Sequence, residues 1–199
     1  MYRFAQWLKN TFPFIWDVIE GINSLLFSIR YGNKLHFIDN ILAGYQGDYS
    51  IKKARVEDTE AIVAFFSEQP EESFTFFRPH AFDVRTIRKL IKRASFLFFL
   101  VLKDNAIVGY FFLRCFAQGK CFRGKIVDYR WRGRGIAKLM GLASTEVAQS
   151  LGLRMFGTIS KGNASSMASS VAVNEFKIIE QLPNNYVYIE YLSKKHDDA

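Results

Sequence analysis

Five residues in one short stretch, Arg130, Arg132, Gly133, Arg134 and Gly135, have the types and spacing of a phosphate-binding turn. They follow a β-patterned run that closes at Asp128. After them Ile136, Leu139, Met140, Ala143, Val147 and Leu151 repeat with the period of a helix that Gly152 ends. The first turn of a helix carries N–H groups with no intrahelical acceptor, and its dipole places roughly half a positive charge there. Glycines let such a backbone approach an anion closely, and neighbouring arginines add charge and forked donors. The wider stretch supplies more charge: Lys120, Arg123, Lys125, Arg130, Arg132, Arg134 and Lys138 fall within nineteen positions, opposed only by Asp128. Such a cluster suits a multiply phosphorylated ligand. Interleaved as it is with Phe122, Tyr129 and Trp131, it would also suit stacked nucleic-acid bases, but Gly133 and Gly135 have no task in that reading, so no nucleic acid is expected as partner.

The elements that must position this turn follow from periodicity. Ile15, Val18, Ile19, Ile22, Leu25, Leu26 and Ile29 fall at three- and four-residue steps, one face of an amphipathic helix with Pro13 at its first position, Thr11 or the residue beside it as a cap and Gly32 as its stop. Leu35, Phe37, Ile38, Ile41 and Leu42 suggest a shorter helix before Gly44. From Asp48 a strand leads to a helix beginning near Val56 or Glu57, with Asp58 or Thr59 steadying its first turn. A loop through Pro79 and a basic helix over Val84 to Arg93 precede FLFFLVL and IVGYFFLRCF, two strands joined at Asp104 and Asn105. A third strand runs from Cys121 to Asp128. LRMFGTIS reads as a strand, Asn163 to about Asn174 as a helix, and FKIIEQ and NYVYIEYL as closing strands around Pro183 and Asn184. The expected architecture is α+β, a mostly antiparallel twisted sheet flanked by helices. Its expected divisions are a helical extension at 1–46, a domain at 47–193 and a frayed tail at 194–199.

Composition narrows the class. The chain has 199 residues, of which 49% are apolar and twenty are Phe, enough for a folded domain with a real core. Its two cysteines, Cys115 and Cys121, are too few for a disulfide framework and lack partners at metal-ligand spacing, so both read as ordinary strand residues in a reducing compartment with no metal. Asp17 and Glu20 interrupt the apolar N-terminal stretch, which argues against a signal peptide or a spanning helix. A cytoplasmic protein is expected. The N-terminal helix is expected to dock on the domain or in a homodimer; Trp7, Phe12, Phe14 and Trp16 make peripheral membrane contact the alternative.

VDYRWRGRGIAKLM resembles the acetyl-CoA signature of the GNAT acetyltransferase superfamily, Q/R-x-x-G-x-G/A, with Arg130, Gly133 and Gly135 in the defining positions. The order of elements from about Asp48 to Leu192 is also that family's. The resemblance implies acetyl-CoA as acyl donor. Amides from Arg132 to Ala137, through Gly133, Arg134, Gly135 and Ile136, would receive its pyrophosphate, the strand Ile126, Val127 and Asp128 would pair with its pantetheine arm, and Arg130, Arg134 and Lys138 would steer it. Asn163, Ser166 and Phe176 match a second motif whose usual acidic Tyr falls here on Ser170, so Ser170, Tyr129 or water would protonate the departing thiolate. FTFFRPHAFD is similar to members from surface-glycan loci, which would put His80 near the acceptor.

Within that reading the candidate bases are His80, because an imidazole titrates near neutrality, and Asp128, at the end of the strand that meets the thioester. The expected activity is acetyl transfer to an amine or hydroxyl of a small acceptor, an amino sugar or nucleotide sugar. A protein or peptide acceptor would call for a more acidic groove than the basic helix at Val84 to Arg93 offers. A non-catalytic CoA-binding or interaction module on the same scaffold is the remaining alternative.

Overall fold

The computed structural model describes residues 13–193; Thr11, Trp7 and Phe12 and the expected frayed tail lie outside them. Helix α1 spans Pro13–Leu35 and α2 Phe37–Ala43. Strand β1 (Ser50–Lys53) leads through a single 3₁₀ turn at Val56–Asp58 to α3 (Thr59–Ser67), and a second turn at Glu71–Phe74 to α4 (Val84–Ile91). Strands β2 (Phe96–Lys103), β3 (Ala106–Phe116) and β4 (Lys120–Val127) come next, then α5 (Ile136–Ser150), β5 (Arg154–Ser160), α6 (Ala164–Val171), β6 (Asn174–Leu182) and β7 (Tyr186–Ser193).

The seven strands form one sheet in the order β1-β2-β3-β4-β5-β7-β6, antiparallel at every pair except the parallel β4–β5. Asp104 and Asn105 turn β2 into β3 with φ of 49° and 67°, the left-handed pair a two-residue hairpin needs. Two helix ends depart from the sequence reading. α1 runs past Gly32 to Leu35, because Gly32 does not take the positive φ of a left-handed cap and only four residues separate it from the next helix. α6 stops at Val171 rather than near Asn174, since the chain turns over Ala172 and Val173 so that Asn174 can enter the sheet, pairing with Ser193.

Both faces of the sheet are covered. On one, α5 lays Ile136, Met140, Ala143 and Val147 against Phe99, Phe111 and Leu113, and the same cluster takes in Phe27, Tyr31, Ile38 and Leu42 of the N-terminal helices. On the other, Ile62, Phe65 and Phe66 of α3 and Ile87 of α4 pack on Phe98, Leu100, Tyr110 and Phe112. The extension therefore shares the main core.

The docking of α1 is inverted relative to the expectation from its apolar stripe. Its polar face meets the domain: Asn23 Nδ2 donates to Cys115 O at 2.9 Å, its Oδ1 accepts from Ala117 N at 3.1 Å, and Glu20 pairs with Arg114. Phe27 and Tyr31, with partly buried Leu35, supply its apolar contact with the core. The residues used to locate the helix, Ile15 to Ile29, face outward. The backbone at the end of β3 needed partners, and an amide side chain supplies both a donor and an acceptor where an aliphatic one supplies neither.

Candidate active site

The site begins as a parting of strands. β4 and β5 pair only over Lys120–Phe122 and Arg154–Phe156. Farther along, one edge of β4 has no strand beside it. Asp128 N donates to Val108 O at 3.0 Å, which makes Val108 and Asp128 a hydrogen-bonded pair. Such pairs alternate along an antiparallel register, so Ile126 and Gly124 turn their amides to β3 while Lys125 and Val127 turn theirs toward the open edge. Gly124 leaves room for the ring of Phe112, which a Cβ there would displace.

At the end of β4 the chain makes a 3₁₀ turn over Tyr129–Trp131 and enters α5 through Gly133 and Gly135, with φ of +77° and +79°. Both conformations are costly for residues with a Cβ. Among the described residues no acceptor meets the N–H groups of Gly133 through Ala137; the first turn closes with Lys138 and Leu139 donating to Gly135 O. Five unpartnered amides at a helix start are the arrangement that suits an anion cradle.

The parted strands and the cradle open into one cavity of about 950 Å³. The predicted residues Ile126, Val127, Arg132, Gly133, Gly135, Ile136, Ala137 and Asn163 line it, as does Lys138. Asn163 also caps α6, its Oδ1 accepting from Ser166 N at 3.0 Å. Arg132 donates to Ser73 Oγ at 2.7 Å, tying the cradle to the loop on the opposite wall. Glu72 is the only carboxylate among the lining residues.

Six predicted residues sit elsewhere, one of them Tyr129, which is exposed and outside the lining. Asp128 is fully buried off the cavity, its carboxylate accepting from Arg130 N, Nε and Nη2 and from Gln69 Nε2. Burial works to raise its pKa, but the hydrogen bonds from Arg130 and Gln69 outweigh it and leave the carboxyl below its ordinary value. A carboxylate so held is a poor base. Arg130 is committed to the same pair and to Glu68 at 2.7 Å, so it braces the turn instead of steering a ligand. Arg134 lies over the Trp131 ring, its guanidinium carbon 4.6 Å from the centroid, outside the lining.

His80 faces Tyr110, its Nε2 2.9 Å from the phenol oxygen, with Nδ1 2.8 Å from Ala81 O. Aromatic rings surround it and it does not line the cavity. Ser170 is wholly buried and its Oγ has no hydrogen-bond partner, so the residue that the motif spacing offered as an acid points into packing. The neighbouring Ser169 lines the cavity instead, because one step along a helix rotates a side chain by about 100°.

The sequence reading counted Lys125 in the basic cluster and gave it no role of its own. Its Nζ donates to Ala137 O at 2.8 Å and to Ser169 Oγ at 3.0 Å, inside the cavity and at the open strand edge. Burial, with the nearby positive charge of Arg123, lowers its pKa from 10.5 to about 7. Arg123 donates to Ser144 Oγ and Asn174 Oδ1 and lies over the Tyr191 ring, 3.8 Å from centroid, while its Nη2 is buried without a partner. Two adjacent cations without a carboxylate leave the floor of the cleft short of negative charge. The available signal was a pair of charged residues, Arg123 and Lys125, alternating on a strand whose neighbours are Gly124 and Ile126.

Neither a protein-family model nor a curated protein matches the chain in sequence. Solved structures do match in shape. The GNAT domain of PAT from S. lividans aligns with a TM-score of 0.61 at 18% identity over 73% of this chain and 92% of that one. PaiA N-acetyltransferase from Thermoplasma acidophilum, solved in complex with coenzyme A, aligns at 0.62 and 15% over 74% and 99%. An N-acetyltransferase from Staphylococcus aureus Mu50 aligns at 0.57 and 22% over 74% and 99%. The fold is the GNAT fold, a mixed seven-stranded sheet flanked by helices, with the N-terminal helices added.

Proposed function

We propose that the chain is an acyltransferase that uses acetyl-CoA to acetylate an amine or hydroxyl of a small acceptor. One observation carries the reading: the open edge of β4 at Lys125 and Val127 runs directly into the unpartnered N–H groups of Gly133 through Ala137, within a single cavity. An extended amide-bearing arm ending in a pyrophosphate needs those two surfaces in that order. The thioester supplies an activated acyl group, and the protein must hold, polarise and protonate.

The amides of Gly133 through Ala137, with Arg132 and Lys138, take the pyrophosphate. The outward N–H groups of Lys125 and Val127 hold the arm and are the donors available to a carbonyl as negative charge develops on it. Attack forms the new C–N or C–O bond and breaks C–S; the acceptor gives up one proton and the thiolate gains one. Lys125, close to half-protonated at neutral pH, is the cavity group suited to deliver that proton, with Ser169 orienting its amine. Phe76, Phe77, Arg78, Ser73 and Glu72 form the far wall, an aromatic and polar mixture that favours an amino sugar or nucleotide sugar as acceptor. A protein or peptide acceptor is disfavoured, because a single carboxylate gives a basic peptide little to bind.

A second reading has its own observation: both predicted bases, His80 and Asp128, are engaged away from the cavity, as in a module that binds CoA without turnover. Calorimetric titration with acetyl-CoA at two salt concentrations, repeated on Gly135→Glu, tests the shared premise. Salt-sensitive micromolar binding lost in the variant supports the site, and no binding by the wild type overturns both readings. Thiol release in the presence of amino sugars then separates enzyme from module.

A further inference from the structure

The outward face of α1 is a feature left unused by the site. Ile15, Val18, Ile19, Ile22, Leu25, Leu26 and Ile29 are each 43% to 74% exposed, and between them the arc holds no charged side chain. Phe37 continues it onto α2 at 51%. Scattered exposed aliphatics are ordinary, but a contiguous helical stripe marks an interaction surface. The polar face cannot rotate outward to replace it, being tied down by Asn23, Asp17 and Glu20.

The surroundings of the stripe select its occupant. Its two acids are paired, half-exposed Asp17 with Lys89 and Arg93 and buried Glu20 with Arg114 and Arg93. Exposed cations remain nearby: Arg30 and Lys34 on α1 itself, Arg85 on the adjoining α4 and Lys92 just past its end. The residues leading into α1 include Tyr2, Phe4, Trp7 and Phe12 with Arg3 and Lys9 and no acid. Aliphatic residues in a band, aromatics at its end and cations beside it are the composition of a helix lying in the plane of an anionic bilayer. A second copy would bring its own basic α4 and its share of a net charge of +8 against the first. Among the described residues no helix is long and apolar enough to cross a membrane.

We infer that α1 is an interfacial anchor that seats the protein on anionic lipid, its apolar stripe in the acyl boundary and the α4 cations at the headgroups. The test is co-sedimentation of the full chain with phosphatidylcholine vesicles, with and without phosphatidylglycerol, alongside light scattering in the absence of lipid. The expected result is a monomer that pellets with the anionic vesicles and is released by high salt. Leu25→Glu/Ile29→Glu should weaken partition roughly tenfold or more, since both side chains already face water and the fold does not need them. Arg85→Glu/Lys92→Glu, which leaves the stripe intact, should reduce binding to anionic vesicles alone. No pelleting with anionic vesicles overturns the inference. So does a wild-type dimer that Leu25→Glu/Ile29→Glu dissociates, because a second copy would then cover the stripe.

Discussion

Arg130 and Asp128 form a closed pair: Nε meets Oδ1 at 3.0 Å and Nη2 meets Oδ2 at 2.7 Å, while the Arg130 amide also donates to Oδ1 at 2.8 Å. The arginine that opens the signature thus fastens the turn to the end of β4. Arg130→Ala should leave a buried carboxylate half-satisfied and lower stability measurably, read by denaturant unfolding, because the partner is buried although the arginine is half-exposed. Acetyl-CoA affinity of the folded fraction should change little. A collapse of affinity without loss of stability would return Arg130 to the role of ligand.

The same pair sets an acid limit. A carboxyl whose folded pKa is lowered contributes stability that is present above the unfolded pKa of about 4 and is lost as pH falls through the folded value. Wild type and Asp128→Asn should therefore differ in stability at pH 7 and converge as pH falls below about 4, which thermal melts across that window would show.

Gly135 is a backbone requirement with empty space around it, since a Cβ would meet nothing within 4 Å. Gly135→Ala should cost about 1 kcal/mol of stability from the positive φ alone. It should also disturb the amides it carries, so a calorimetric Kd for acetyl-CoA should weaken more than the loss of stability explains.

Lys125 yields a prediction of opposite sign. Its folded pKa of about 7 lies below the 10.5 of the unfolded chain, so between those values the unfolded state holds more protons and stability rises with pH. Lys125→Met should stabilise the protein by roughly 2–4 kcal/mol at pH 7 or below, a gain that fades toward pH 10. An anion bound in the cleft would raise the lysine's pKa, so acetyl-CoA titrated near pH 8 in buffers of different ionisation enthalpy should show proton uptake, absent in the variant. If Lys125 is the proton donor, turnover in Lys125→Met should fall by 10²- to 10⁴-fold with affinity less affected.

His80 and Tyr110 provide the control. Tyr110 is completely buried, burial pushes its pKa well up, and its hydroxyl bonds to His80 Nε2. His80→Phe should cost about 1–3 kcal/mol by stranding that hydroxyl, while leaving acetyl transfer within a few-fold. A loss of kcat with stability intact would restore the histidine as a base.

What the sequence determined by itself was local. The glycines at 133 and 135, the helix after them and the Asp104-Asn105 hairpin were legible because each depends on backbone conformations that a few neighbouring residues dictate. The periodicities of α1, α5 and the strands were legible for the same reason. The tertiary structure decided everything that depends on which face meets what. It turned α1 over, because the backbone at the end of β3 took the Asn23 amide as partner, so the apolar stripe that located the helix became its exposed side. It withdrew Asp128, Arg130 and Ser170 from the cavity and delivered Lys125 and Ser169 to it. Spacing along a chain specifies a rotation about a helix or a side of a strand. Only the docking of α5 and α6 across the parted strands determines which of those directions is the cavity.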